Sequence, residues 1–253
     1  MKRLGRAWAR GRWVLGLAVG LPVSALAQNP GAVAPSAAPQ AAPAEEGAPP
    51  PAGSATSLPD LSSDAIAERV QSFYDGAKTF QAQFSQRYTI FAYNKKKESQ
   101  GHVAFVKPGK MSWRYTSNGN RVVSDGKVLK VYEAENKQLY EQDMGKSAYP
   151  AALSFLLGEG KLSASFTLKK LSAQTAEFKG GYVLLAIPRD PTPAYQKMLL
   201  YVDGKTFQVR RVLMIDAQKN KNLFDFSEPR VNEKVPASEF TFSAPAGTQV
   251  VKP

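Results

Sequence analysis

Residues 58–253 are predicted to form a mainly β (α+β) domain: one large, strongly curved antiparallel sheet with a few short helices. Three observations predict it. Apolar and polar residues alternate along Phe80, Ala82, Phe84, Tyr88 and Ile90, against Gln81, Gln83, Ser85, Arg87 and Thr89, the pattern of a long strand with one buried face. The turn dipeptides Asn118-Gly119, Asp125-Gly126 and Asp203-Gly204 each lie close to apolar, β-branched runs, as hairpins require. The strands these turns would join number around ten, and a flat open sheet of that size is hard to stabilise, so it should curl and acquire a concave face.

The elements can be justified in order. Lys2, Arg3, Arg6, Arg10 and Arg12 precede an apolar run from Trp13 to Leu21, and Ala25-Leu26-Ala27 follows. Basic, apolar and small residues in that order read as a secretory signal peptide over residues 1–27, cleaved after Ala27. The apolar stretch falls short of the roughly 20 residues a membrane span needs. Residues 28–57 are almost entirely Ala, Pro, Gly, Ser and Gln. They cannot bury enough apolar surface to offset their conformational entropy and are expected to form a disordered tether.

Within the domain, Ser62 or Ser63 can cap a helix whose apolar residues Ile66, Val70 and Phe73 recur at helical spacing. The long strand described above follows Lys78, and the polar run Asn94 to Ser99 is expected to break it. Strands are then expected at His102 to Val106 and Met111 to Thr116, separated by Pro108-Gly109. Further strands are expected at Val128 to Glu133, Gln138 to Gln142, Tyr182 to Ile187, Lys197 to Val202, Thr206 to Ile215 and Asn222 to Phe226. Thr241-Phe242 would close the set. Between Ser147 and Gly160 a short helix would carry Leu153, Leu156 and Leu157 on one side.

The residue supply weighs against an enzyme. The chain has no cysteine and a single histidine, His102, so zinc sites of the usual composition are not available. No glycine-rich phosphate loop or nucleophile elbow occurs. Asp125, Asp203 and Asp216 occupy turn settings, where aspartate stabilises the turn itself. No catalytic residue, metal or cofactor is expected. The charge is strongly basic, 33 Lys and Arg against 21 Asp and Glu. Setting aside the five basic residues of the signal and Glu45 and Glu46 leaves 28 against 19. Such a balance favours anionic headgroups or an acidic partner. Nucleic acid is not expected, because the chain is exported and its basic residues are scattered and not massed in one stripe.

The aromatic and aliphatic residues are the better lead. Parity along the hairpin puts Val103, Phe105 and Lys107 on one face, continuing as Met111, Trp113 and Tyr115. Alternation alone does not distinguish a filled core from a cavity wall. Lys107 is the odd member: a lysine on the apolar face beside a turn could bond carbonyls of a covering helix.

Four stretches are more specific: Phe80 to Gln86, Gly101 to Tyr115 with Val106-Lys107-Pro108 and Trp113, Val123 to Lys127 with Tyr132, and Phe240 to Gly247. In their order and spacing the chain resembles the outer-membrane lipoprotein carrier (LolA) family of periplasmic chaperones. The resemblance implies an incomplete antiparallel β-barrel with helices covering a hydrophobic cavity that receives lipoprotein acyl chains. Phe84, Phe105, Met111, Trp113 and Tyr115 would then line the sheet, Leu153, Leu156 and Leu157 the lid, and Lys107 would make the lid contact. It further implies a periplasmic location, acylated lipoproteins as cargo, an inner-membrane ABC transporter as donor and an outer-membrane lipoprotein receptor as acceptor; a monomer is expected. Family members commonly carry arginine where this chain has Lys107, and lysine offers a point charge in place of a planar fork. Two other readings stay open: a carrier of a free lipid or lipid-linked glycan, and an envelope-stress sensor that uses the same fold to bind a regulatory partner.

Overall fold

The computed structural model describes residues 58–144, 160–174, 176–192 and 194–251. The cleavage site, the tether and the leucine-bearing segment with Leu153, Leu156 and Leu157 lie outside these residues.

Helix α1 (Ser63–Gly76) is followed by β1 (Thr79–Ile90), β2 (Lys95–Val106), β3 (Lys110–Tyr115), β4 (Arg121–Asp125), β5 (Val128–Glu133) and β6 (Gln138–Asp143). A one-turn helix α2 (Leu162–Ser165) precedes β7 (Phe166–Leu171), β8 (Gly181–Pro188), β9 (Lys197–Asp203), β10 (Val209–Ile215), β11 (Lys221–Val231) and β12 (Gln249–Val251). All twelve strands join one sheet in the order β12-β6-β5-β4-β3-β2-β1-β11-β10-β9-β8-β7. Neighbours are antiparallel except β12 and β6. The end strands do not pair with each other, so the sheet is an open barrel. Long β1 is its centre, and its pairing with β11 joins the two halves of the chain.

Ser62 caps α1, its hydroxyl accepting from the Ala65 N–H at 3.2 Å, which satisfies one of the donors a helix start leaves open. The helix buries Ile66, Ala67, Val70 and Tyr74. Tyr74, rather than Phe73, completes the inward stripe, since 66, 70 and 74 keep the four-residue step. Phe73 is half-buried and meets the Tyr74 ring edge-on, with centroids 4.9 Å apart. At the turns after β3 and β4, Gly119 and Gly126 hold φ of 75° and 97°, values that L side chains rarely adopt.

Several strand expectations need correction. Lys95 to Ser99 do not break the first strand; they are the start of β2, and the turn lies at Phe91–Asn94. The run is polar because this end of the hairpin extends past the packed core, with Lys95 to Glu98 all exposed. Strands β4 and β7 were not expected. The first alternates poorly because both of its faces are buried, at Val122, Val123 and Ser124. The second is an edge strand carrying Lys169 and Lys170, a charge placement that guards open edges. Thr241-Phe242 is not a strand, and the last strand is β12.

That C-terminal segment acts as a strap over the outer face of β3, β4 and β5. Ser112 Oγ donates to Glu239 at 3.2 Å, Arg121 donates to the Glu239 carbonyl at 3.3 Å, and Lys130 Nζ donates to the Phe242 carbonyl at 3.3 Å. Phe242 packs on Tyr132 at 5.2 Å.

Candidate functional site

The inner face of the sheet, the one α1 lies against, is apolar across β1, β2, β3, β8, β9, β10 and β11. Phe84, Phe105, Met111, Trp113 and Tyr115 all lie on it and are buried. The register explains how they meet: Phe80 opposes Phe105, Val103 opposes Trp113, Phe105 opposes Met111, and Phe84 opposes both Gly101 and Phe226. Ring centroids of Phe84 and Trp113 are 5.1 Å apart, those of Phe84 and Tyr115 4.9 Å, and those of Phe105 and Trp113 6.0 Å, within the range of favourable edge-to-face contact. Burial pushes the Tyr115 phenol well above its ordinary pKa, so the ring stays neutral.

Sequence reasoning did not name the other half of this face. Phe224 and Phe226 of β11 stand 5.5 and 6.1 Å from Trp113, and Met198, Leu200, Leu184 and Val212 continue the surface. The same alternation marks them at Asn222 to Phe226 and Lys197 to Val202. The signal was present in strands that had been located but not resolved into faces. Within the aromatic cluster, the Trp113 indole N–H is buried with no hydrogen-bond partner among the described residues, an arrangement that ordinarily costs about 1–3 kcal/mol.

Among the described residues, directed bonds fasten α1 over this face mainly along its second half, one of them from the Asn232 amide to the Gly76 carbonyl at 3.4 Å. The buried Val209 N–H donates to the Tyr74 hydroxyl at 3.2 Å, and the Leu162 N–H donates to Gln71 Oε1 at 3.1 Å. Lys107 Nζ donates to the Tyr74 carbonyl at 2.5 Å and reaches the Asp75 carbonyl at 3.5 Å. The last turn of α1 contains no basic residue, so Lys107 brings from β2's end the positive charge that a helix C-terminus favours. Lys107→Met should lower unfolding stability by about 1–2 kcal/mol, because the carbonyls lose a charged donor yet can reach water. Lys107→Arg should keep most of it. Hydrogen exchange of the α1 amides is the informative readout: acceleration confined to α1 in Lys107→Met means helix opening, whereas uniform acceleration would mean a general loss of stability.

The inner face turns polar at the end away from α1. Gln86 donates there to Asn222 Oδ1 at 2.8 Å, and a small hollow opens between Tyr88, Lys97, Tyr115 and Asn118. On the outer face an open hollow of about 460 Å³ runs between Arg87, Lys96, Glu177, Tyr201 and Arg211. No group of three or more His, Cys, Asp or Glu side chains able to hold a metal occurs among the described residues. His102 is exposed on the outer face. Asp125 accepts the Lys127 and Val128 N–H groups at 2.8 and 2.9 Å, Asp203 those of Lys205 and Thr206 at 3.0 and 2.9 Å, and Asp216 those of Gln218 and Asn220 at 2.9 Å each. Bonds from Val128 and Lys127 hold the Asp125 carboxyl below its ordinary pKa.

The chain is similar to several known proteins. A protein of Methylibium petroleiphilum described as an outer-membrane lipoprotein carrier protein is 30% identical over 191 residues, covering 74% of this chain and 89% of that protein. One of the same description from Dechloromonas aromatica is 27% identical over 195 residues, covering 77% and 91%. A crystal structure of a LolA superfamily protein from Nitrosomonas europaea aligns at a TM-score of 0.41 and 15% identity, over 72% of this chain and 99% of that one. The sequence profile described as outer membrane lipoprotein carrier protein LolA matches residues 75–243, a span that takes in β1 to β11, the aromatic inner face, Lys107 and the strap, and the chain therefore belongs to the LolA family.

Proposed function

We propose that this protein is a periplasmic chaperone that shelters the acyl chains of lipoproteins against the inner face of its open sheet and carries them from the inner to the outer membrane. The observation that carries the reading is one continuous apolar face, from Met111 and Trp113 to Leu184 and Leu200, covered by a helix. Apolar burial is non-directional and contributes roughly 0.8 kcal/mol per CH₂, so a wide lining of this kind suits long flexible chains. In the proposed cycle α1 lies on the face when the carrier is empty. An inner-membrane ABC transporter acts as donor, and acyl chains replace contacts of α1. An outer-membrane lipoprotein receptor accepts the cargo by offering a more favourable apolar site.

Phe84, Phe105, Met111, Trp113 and Tyr115 are proposed as the acyl-binding lining, with Lys107 as the contact that closes the lid. Leu153, Leu156 and Leu157 are assigned to the lid on the sequence alone. Because the inner face is packed with α1 over it, loading must displace α1 or strands at the open edges. Lys107 is half-buried, unlike the buried Tyr74–Val209 contact, and is expected to yield before it.

The test is mass spectrometry of protein purified from the native periplasm without detergent, comparing gentle with denaturing conditions. A co-purifying acylated polypeptide, released on denaturation, is the expected result. A bound free lipid with no polypeptide would replace this reading with that of a lipid or lipid-linked glycan carrier. If the protein arrives empty and takes up no added acylated lipoprotein, the proposal fails.

A further inference from the structure

The end of the sheet opposite α1 carries a second surface, built from two adjacent turns. Phe91–Tyr93 link β1 to β2, and Asp216–Asn220 link β10 to β11. Asn220 Oδ1 accepts the Phe91 N–H at 3.0 Å, and Lys219 Nζ stands 5.4 Å from the centre of the Phe91 ring, so the turns form one platform. Phe91 and Tyr93 are 55% and 75% exposed, the two most exposed large apolar side chains among the described residues. Around them stand five exposed lysines: Lys95, Lys96, Lys97, Lys219 and Lys221. Asp216, the platform's one acid, is engaged by the N–H groups of Gln218 and Asn220. Glu135 lies 3.9 Å from Lys97, and Glu98 pairs with Arg87.

Packing of the domain does not account for this composition. The aromatics contribute nothing to the buried core, and exposed Phe and Tyr are costly ornaments for a hairpin that needs only a turn. Amphipathic aromatic rings with lysines at their level are the combination that settles at a membrane–water interface. The rings enter the headgroup region, and each lysine near an anionic surface adds attraction. An acidic protein would satisfy the lysines but give two flanking rings no reason to protrude. The platform also adjoins the polar end of the inner face, where Tyr88 and Lys97 border the small hollow.

We infer that the Phe91–Lys97 hairpin, together with Lys219 and Lys221, docks this protein on anionic lipid bilayers, with Phe91 and Tyr93 entering the headgroup layer. This holds whatever the cargo is, since the surface lies outside the apolar face. Docking here would bring the polar end of that face to the membrane surface.

The experiment is flotation of periplasm-purified protein with vesicles of phosphatidylcholine alone and of phosphatidylcholine mixed with phosphatidylglycerol, which supplies the negative surface potential. Partition should favour the anionic vesicles and weaken with salt. K95E/K96E/K97E should lower the partition coefficient roughly a hundredfold, and F91S/Y93S about tenfold. K161E/K205E/K234E, the same charge change on exposed lysines elsewhere, should change it little. Circular dichroism of each variant checks that the fold is kept. The inference is overturned if the wild type does not bind anionic vesicles, if the control triple loses as much as the hairpin triple, or if F91S/Y93S partitions like the wild type. None of these outcomes touches the carrier reading, which acyl uptake tests separately.

Discussion

Trp113→Ala is expected to lower the unfolding free energy by about 3–5 kcal/mol, the range for emptying an aromatic from a packed core, and to abolish acyl retention with it. The ring is 3% exposed and touches Phe84, Phe105, Phe224 and Phe226 from three strands, so no neighbour can collapse into the space without leaving its own register. Trp113→Phe should behave differently. It gives up part of the ring's packing but removes the buried indole N–H that has no partner among the described residues, and the two effects offset to within about 1 kcal/mol. Urea denaturation of both variants, read beside uptake of a palmitoylated peptide, separates the roles. A loss in Trp113→Ala below about 1 kcal/mol would make the residue a cavity wall and not core. If Trp113→Phe is as unstable as Trp113→Ala, the whole indole and not the ring contacts alone is being used.

The same residue shows what alternation does and does not convey. Period two placed Phe105, Met111, Trp113 and Tyr115 on one face, because a strand allows side chains only two directions. It could not say that Phe224 and Phe226, more than a hundred positions later, stand against the same indole; the pairing of β1 with β11 decides that. Helix α1 was legible, with its cap narrowed to Ser62 or Ser63, because its signals are local; that Tyr74 and not Phe73 faces inward was not. Strand β4 was not, since the strap from Glu239 to Phe242 buries its outer face and erases the polar half of the pattern. Lys95 to Ser99 misled for the opposite reason: where a hairpin runs beyond its core, nothing demands apolar residues, and a strand then reads as a loop. Lys107 could be singled out as a charge out of place, but its partners, the Tyr74 and Asp75 carbonyls, follow only from where α1 lies.

Gly101→Ala is expected to be damaging on a comparable scale, for a reason invisible in composition. A β-carbon at this position would lie 2.0 Å from the Arg114 carbonyl oxygen, 2.8 Å from its carbon and 3.0 Å from the edge of the Phe84 ring. The first two are backbone atoms of the paired strand β3, so no side-chain rotation relieves the overlap and the β2–β3 pairing must shift. Because Gly101 opposes both Phe84 and Tyr115, that shift also separates the rings that meet over it at 4.9 Å. A cost of about 3 kcal/mol or more follows, at the high end for overpacking because rigid atoms are in the way. Gly76 is the internal control. No described residue lies within 4 Å of where its β-carbon would be, and it ends α1 without a positive φ. Gly76→Ala should therefore be neutral or stabilising by about 0.4–1 kcal/mol. Thermal unfolding of the two single variants decides the matter. Equal stability would mean that β2 and β3 yield at Gly101, and the close strand approach that seats Phe84 against Tyr115 would not be a fixed feature of the inner face.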